Sequence, residues 1–224
     1  MEIKTNESKL HAMMKKGPAK AVVSVALVGT LAMAGIGAYF TGTDTVENKF
    51  DISAGLTDKI TVTEANWDTT DDDGDGVPDA AQHVVPLQTI AKDPVVDNKS
   101  DVEAWLFCQI KVPTANVSVV GDDGAPEAAA QHELFTYTVN DGWTESGTPV
   151  VKDGYTTHTY LYNTKVAAGA STAKAVFDDI TLINLVEQQT VAGADQIDVI
   201  GHGIQAEGLD TAAAAWAAYT AQNA

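Results

Sequence analysis

An uncharged apolar run, residues 21–36 (AVVSVALVGTLAMAGI), stands apart from everything after it. Its 16 residues fall short of the roughly 20 that a membrane-spanning helix needs. Lys4, Lys9, Lys15, Lys16 and Lys20 precede it, against Glu2 and Glu7, and the small residues Gly35, Gly37 and Ala38 follow or close it. A basic start, a short apolar core and small residues predict a helical secretory signal peptide over residues 1–38, cleaved near Gly37 and Ala38. An uncleaved N-terminal anchor is the competing reading.

From about residue 48 the pattern changes to period-two alternation and β-branched density. Strands are predicted over residues 49–53, 59–65, 88–96, 102–112, 116–119, 133–140, 149–152, 156–162, 175–182 and 196–205. Turn clusters lie between them, with Asp-Gly pairs at 141–142 and 153–154 marking tight turns. In the run YTTHTYLYN, Tyr155, Thr157, Thr159 and Leu161 face one way, and Thr156, His158, Tyr160 and Tyr162 the other. Many short strands with no long helix between them predict an all-β fold over residues 51–224, an antiparallel β-sandwich or jelly roll. One short helix closes it: Asp210 as N-cap, then TAAAAWAAYTAQ, with Trp216 and Tyr219 on the face that packs on the sandwich.

Charge sharpens this picture. The 224 residues hold 13 Lys, no Arg and 31 acids, for a net −18 and a pI near 4.3. That balance excludes an electrostatic grip on nucleic acid. Without residues 1–38 the chain keeps 8 Lys against 29 acids, a net −21. The single cysteine, Cys108, excludes an intramolecular disulfide and a multi-cysteine metal site. It lies in the apolar run AWLFCQIKV and reads as a buried small hydrophobe.

The densest chemistry is WDTTDDDGDGVPDAAQ, residues 67–82. Asp71, Asp73, Asp75 and Asp79 fall at positions 1, 3, 5 and 9 of a calcium-loop pattern. Gly76 supplies the sharp turn at position 6, and Val77 offers its carbonyl at position 7. Hard oxygen donors at alternate positions suit Ca²⁺. Position 12, where a bidentate Glu belongs, is Gln82, so an outside carboxylate or water would complete the shell. A solvated acidic turn is the plainer reading of the same residues.

Enzyme motifs are missing. His83, His132, His158 and His202 are scattered with no metal-ligand spacing, no H-E-x-x-H is present, and no G-x-S-x-G elbow is present. Trp105 and Trp216 sit in apolar contexts and read as core, whereas Trp143 follows a turn and reads as a possible sugar-stacking surface.

Several colinear stretches resemble the TasA/camelysin family of secreted fibre-forming proteins, with related bundling pilins in archaea. They are GIGAYFTGTDTVENKFDISAG (35–55), ANWD (65–68), KDPVVDNKSDVEAWLFCQIKVP (92–113), Phe135–Trp143 followed by TYLYNTKVAAGASTAKAVFDDITL (159–182), and IDVIGHGIQAEGLDTAAAAWAA (197–218). The resemblance implies a jelly-roll subunit, cleaved by a SipW-type signal peptidase. It implies polymerisation by donor-strand exchange, with the extended segment 39–50, carrying Tyr39, Phe40 and Phe50, as the donor. It implies self-association into filaments of a biofilm matrix or cell surface, with an accessory anchor or minor subunit. Camelysin relatives carry a peptidase label, but without an H-E-x-x-H or comparable ligand pair the residues themselves argue for no enzymatic activity. A monomeric secreted calcium- or glycan-binding module stands as the alternative, and an extracellular metallopeptidase as the remote one.

Overall fold

The computed structural model describes residues 41–45, 56–187, 189, 191 and 196–224, with 41–45 and 56–57 by their backbone. All lie in the compact unit Tyr39–Ala224. The signal segment, Tyr39, Phe40, Phe50 and the strand expected over 49–53 lie outside the described residues.

The described chain is built of antiparallel sheets and one short helix. Its centre is β5 (Ala104–Val117), an apolar run long enough to be covered on both faces. β12 (Asp198–Gln205) pairs along one side of it and β10 (Tyr155–Tyr162) along the other. β1 (Thr41–Thr45) adds beyond β12, and β8 (Trp143–Glu145) and β9 (Val150–Lys152) add beyond β10. β6 (Ala130–Glu133) takes the far end of β5, completing a seven-stranded sheet.

Two smaller sheets accompany it. β2 (Ile60–Glu64) pairs with β4 (Pro94–Asn98). β11 (Asp179–Leu182) lies between β3 (Thr89–Ala91) and β7 (Phe135–Thr136). Alternation along β5 points Leu106, Cys108, Ile110 and Val112 into the main core, where they meet Ile60, Val62, Ile90, Val96, Phe177 and Ile180 of the smaller sheets and their connections. The other phase points Trp105 and Phe107 at α1 (Ala212–Gln222), with Leu161, Ile204, Ala215 and Tyr219. Tyr160 and Tyr162 fall on the inner phase and Leu161 on the outer, as the alternation of β10 predicts.

Gly201 and Gly203 in β12 let the β2–β4 pair sit directly on the sheet. A Cβ at Gly201 would lie 2.9 Å from Val62 Cγ2, and one at Gly203 2.8 Å from Ile60 Cδ1. The Asp153–Gly154 turn joins β9 to β10 with both residues at positive φ, 52° and 83°. That is the turn whose twist suits a two-residue hairpin, and the sequence signal named it.

Several boundaries differ from expectation. The strand expected over 88–96 is two, broken at Lys92 and Asp93. Lys92 Nζ there meets Glu64, and Asp93 accepts hydrogen bonds from the Asn66 backbone N–H and Nδ2. The strands expected over 102–112 and 116–119 are one, β5. Pro113 does not end it, because the ladder changes partner there: Tyr155 faces Pro113, and Glu133 faces Thr114. Of the stretch 133–140 only Phe135–Thr136 extends beyond β6, and of 175–182 only Asp179–Leu182 is strand. The helix is capped by Thr211, whose Oγ1 accepts from the Ala214 N–H at 3.1 Å, in place of Asp210.

Candidate metal centre

The acidic loop lies on the surface between β2 and β3, ending in a 3₁₀ turn, Asp79–Ala81. Its backbone folds around its own carboxylates. Asp71 accepts from the Gly74 N–H at 2.8 Å and the Gly76 N–H at 3.0 Å. Asp73 accepts from the Asp75 N–H at 3.3 Å, and Asp75 from the Val77 N–H at 2.8 Å. Gly74 and Gly76 both take positive φ, 72° and 89°, which lets the chain double back within a few residues. The Asp79 N–H donates to the Thr70 carbonyl at 2.7 Å, closing the loop.

One carboxylate oxygen each from Asp71, Asp73 and Asp75 lies within 4.8 Å of the others, and all three residues are exposed. Three oxygens so placed could hold a metal ion. The backbone N–H of Gly76 is the main cause that holds the Asp71 carboxyl below its ordinary range. Asp68, just before the loop, is lowered likewise by the Thr70 hydroxyl and then the Thr70 N–H. Carboxylates biased towards the charged form are what a hard cation requires.

Of the other expected ligands, the Val77 carbonyl oxygen borders the group, 3.2 Å from Gln82 Nε2. Asp79 turns aside: its Oδ1 accepts from the Asp72 N–H at 3.3 Å. Gln82 counted in the sequence only as a missing Glu. Its Nε2 stands 3.3 Å from Asp73 Oδ1 and 3.5 Å from Asp75 Oδ1. The amide thus already reaches the carboxylates, and its spacing at position 12 was the signal for it.

The histidines do not converge. His158, on β10, lies 2.7 Å through Nδ1 from Glu145 and 3.0 Å through Nε2 from Glu133, and stacks on Tyr160. His202, on β12, is buried under α1, its Nδ1 2.8 Å from the Tyr219 hydroxyl. Cys108 is buried, and burial pushes its thiol up. Trp143 is buried too, 6% exposed, against the reading of a free surface ring. It packs on Tyr162 and donates from Nε1 to the Lys174 carbonyl, which the turn context did not reveal.

Against this fold and loop, known proteins add nothing: no family model, curated protein or solved structure matches the chain. Among the described residues, no helix is long and apolar enough to cross a membrane.

Proposed function

We propose that the chain is an exported subunit of an extracellular filament, a jelly-roll protein that assembles when the β1 segment of one copy replaces that of the next. The observation that supports this reading is where β1 sits. It forms the outer edge of the seven-stranded sheet and pairs with β12 over five residues, Thr41↔Ile204 to Thr45↔Ile200. An edge strand can be exchanged between copies with its backbone hydrogen bonds conserved. The next strand, β2, is fixed by comparison, because Ile60 and Val62 lie directly on Gly203 and Gly201. Exchange would therefore move β1 and leave β2 in place. In this reading a SipW-type peptidase frees the segment, and an accessory subunit anchors the fibre.

A Thr45→Cys/Ile200→Cys double variant tests it, since these residues face each other in the ladder. Oxidised during assembly, it should give a ladder of covalently linked chains and visible filaments by electron microscopy. Cross-links confined to single chains, in preparations that do form filaments, rule out exchange of β1.

A second reading is carried by the acidic triad: the loop binds Ca²⁺ through Asp71, Asp73, Asp75 and the Val77 carbonyl, with Gln82 or Asp79 turning in to complete the shell. Neutralising these carboxylates would also lessen repulsion between subunits of net −21. Calorimetry with Ca²⁺ should show one site in the millimolar range or tighter, abolished by Asp73→Ala with Asp75→Ala.

A further inference from the structure

The outer face of the large sheet is covered by α1 alone among the described helices of more than one turn. That helix is AAAAWAAYTAQ, with no charged residue and no ion pair along it. Eleven residues are too few for a helix to hold by itself in water, so its order depends on what it packs against. The packing is concentrated in a few rings. Phe107 meets Trp216 edge-on at 5.1 Å and Tyr219 at 5.9 Å, and Trp216 stacks on Tyr219 at 5.4 Å.

A polar chain crosses this apolar interface. Gln109 of β5 donates from Nε2 to the Thr159 hydroxyl of β10, which turns its Oε1 towards His202. His202 Nε2 therefore carries the proton and donates to Gln109 Oε1 at 3.0 Å. Nδ1 is left as the acceptor and receives the Tyr219 hydroxyl at 2.8 Å. The neutral imidazole thus joins sheet to helix, and it does so 7% exposed. Burial holds its pKa down to about 4.

We propose that α1 is an acid-released latch: protonation of His202 at Nδ1 undocks the helix and uncovers Trp105, Phe107, Leu161 and Ile204 while the sheet stays paired. A proton on Nδ1 makes that nitrogen a donor, so the Tyr219 hydroxyl must reverse its role inside an apolar interface. The cation would also be buried among aromatic rings, at a cost that release of the helix removes. Among the described residues, titratable and charged groups lie near His202 on several elements. Tyr219 faces it from α1. Asp198 lies four residues back along the same face of β12, near Lys111 of β5 and Gln196. From β1, Thr43 is opposite His202 in register and Asp44 is its neighbour. Lys165 is over Trp105 at the other end of the interface. The strand pairings of β5, β10 and β12 do not involve α1, so they can outlast it.

The sign follows from a folded value below the ordinary one near 6.5. Docking is at full strength above about pH 6.5 and weakens as pH falls towards 4. If release restores the ordinary value, the docking equilibrium falls roughly 60-fold between pH 7 and pH 4.5.

Hydrogen exchange on the full chain at pH 7 and pH 4.5, corrected for intrinsic rates, reads this directly. Protection of 212–222 should fall many-fold at pH 4.5 while β5 and β12 stay protected, and His202→Gln should remove the pH step. NMR titration of the His202 ring in the unsubstituted chain gives a second test, with a midpoint that coincides with loss of helix protection. Unchanged helix protection at pH 4.5, loss of β5 protection together with the helix, a pH step that survives His202→Gln, or two midpoints more than about a unit apart would each overturn the latch.

Discussion

The acidic loop and the buried polar contacts of the sheets use similar chemistry in opposite surroundings. In the loop, Asp71, Asp73 and Asp75 stand in water, and each takes hydrogen bonds from backbone N–H groups within a few residues. In the sheets, Lys92 and Glu64 are 8% and 7% exposed and meet across 28 residues of chain, with Lys92 Nζ 2.8 Å from Oε1 and donating to Oε2 at 2.9 Å. Lys92 also lies 4.6 Å from the centre of the Trp67 ring. Water screens the first set and lets each charge stand alone, whereas burial makes each partner in the second depend on the other. Exposed charges are therefore available for a ligand, and buried ones decide whether the fold holds.

The sharpest way to break this contrast is to remove one buried partner. Lys92→Met leaves Glu64 charged and uncompensated, which should cost about 3–5 kcal/mol in chemical denaturation. Adding Glu64→Leu should recover most of that loss. A double variant as unstable as the single one would mean that packing around Lys92, and not its charge, matters.

Acid comes next. His202 is held at about pKa 4 against an ordinary 6.5, so the folded chain binds fewer protons than the unfolded chain between those values. Stability is then complete above about pH 6.5 and should fall as pH drops, by up to roughly 3 kcal/mol near pH 4. The Asn variant of His202 should lack that slope. A slope equal to that of the unsubstituted protein would assign it to carboxylates elsewhere.

Gly203→Ala places a Cβ 2.8 Å from Ile60 Cδ1 and 3.1 Å from Leu106 Cδ2. Overpacking of this kind should cost about 1–3 kcal/mol, with Ile60→Val as a second change that restores part of it. No loss of stability would mean that the β2–β4 pair rides more loosely on β12 than the packing implies.

The smallest effect belongs to the loop. In chelator, Asp73→Ala with Asp75→Ala should leave the melting midpoint close to that of the parent, because these groups are exposed. With Ca²⁺ the parent should melt higher and the variant should not respond. A large change in chelator would make the loop part of the fold.

The sequence alone determined the parts whose cause is local. Alternation in YTTHTYLYN set the two faces of β10, and the apolar run around Cys108 marked the strand at the centre of the sheet. The Asp-Gly pair at 153–154 named its hairpin, and the spacing of Asp71, Asp73 and Asp75 named a group that the chain does bring together. A period of two, a turn and a loop of twelve residues each depend on neighbours in the chain. Tertiary structure decided the rest. Lys92 divides one expected strand into two because Glu64 and Asp93's partner Asn66 lie across from it. Trp143 is buried because the Lys174 carbonyl and Tyr162 wait for it. His202 gains its meaning from Gln109 and Tyr219, 93 and 17 residues away. Such partners leave no periodic trace, since a buried polar group is satisfied by whatever the fold brings to it and not by its own sequence context.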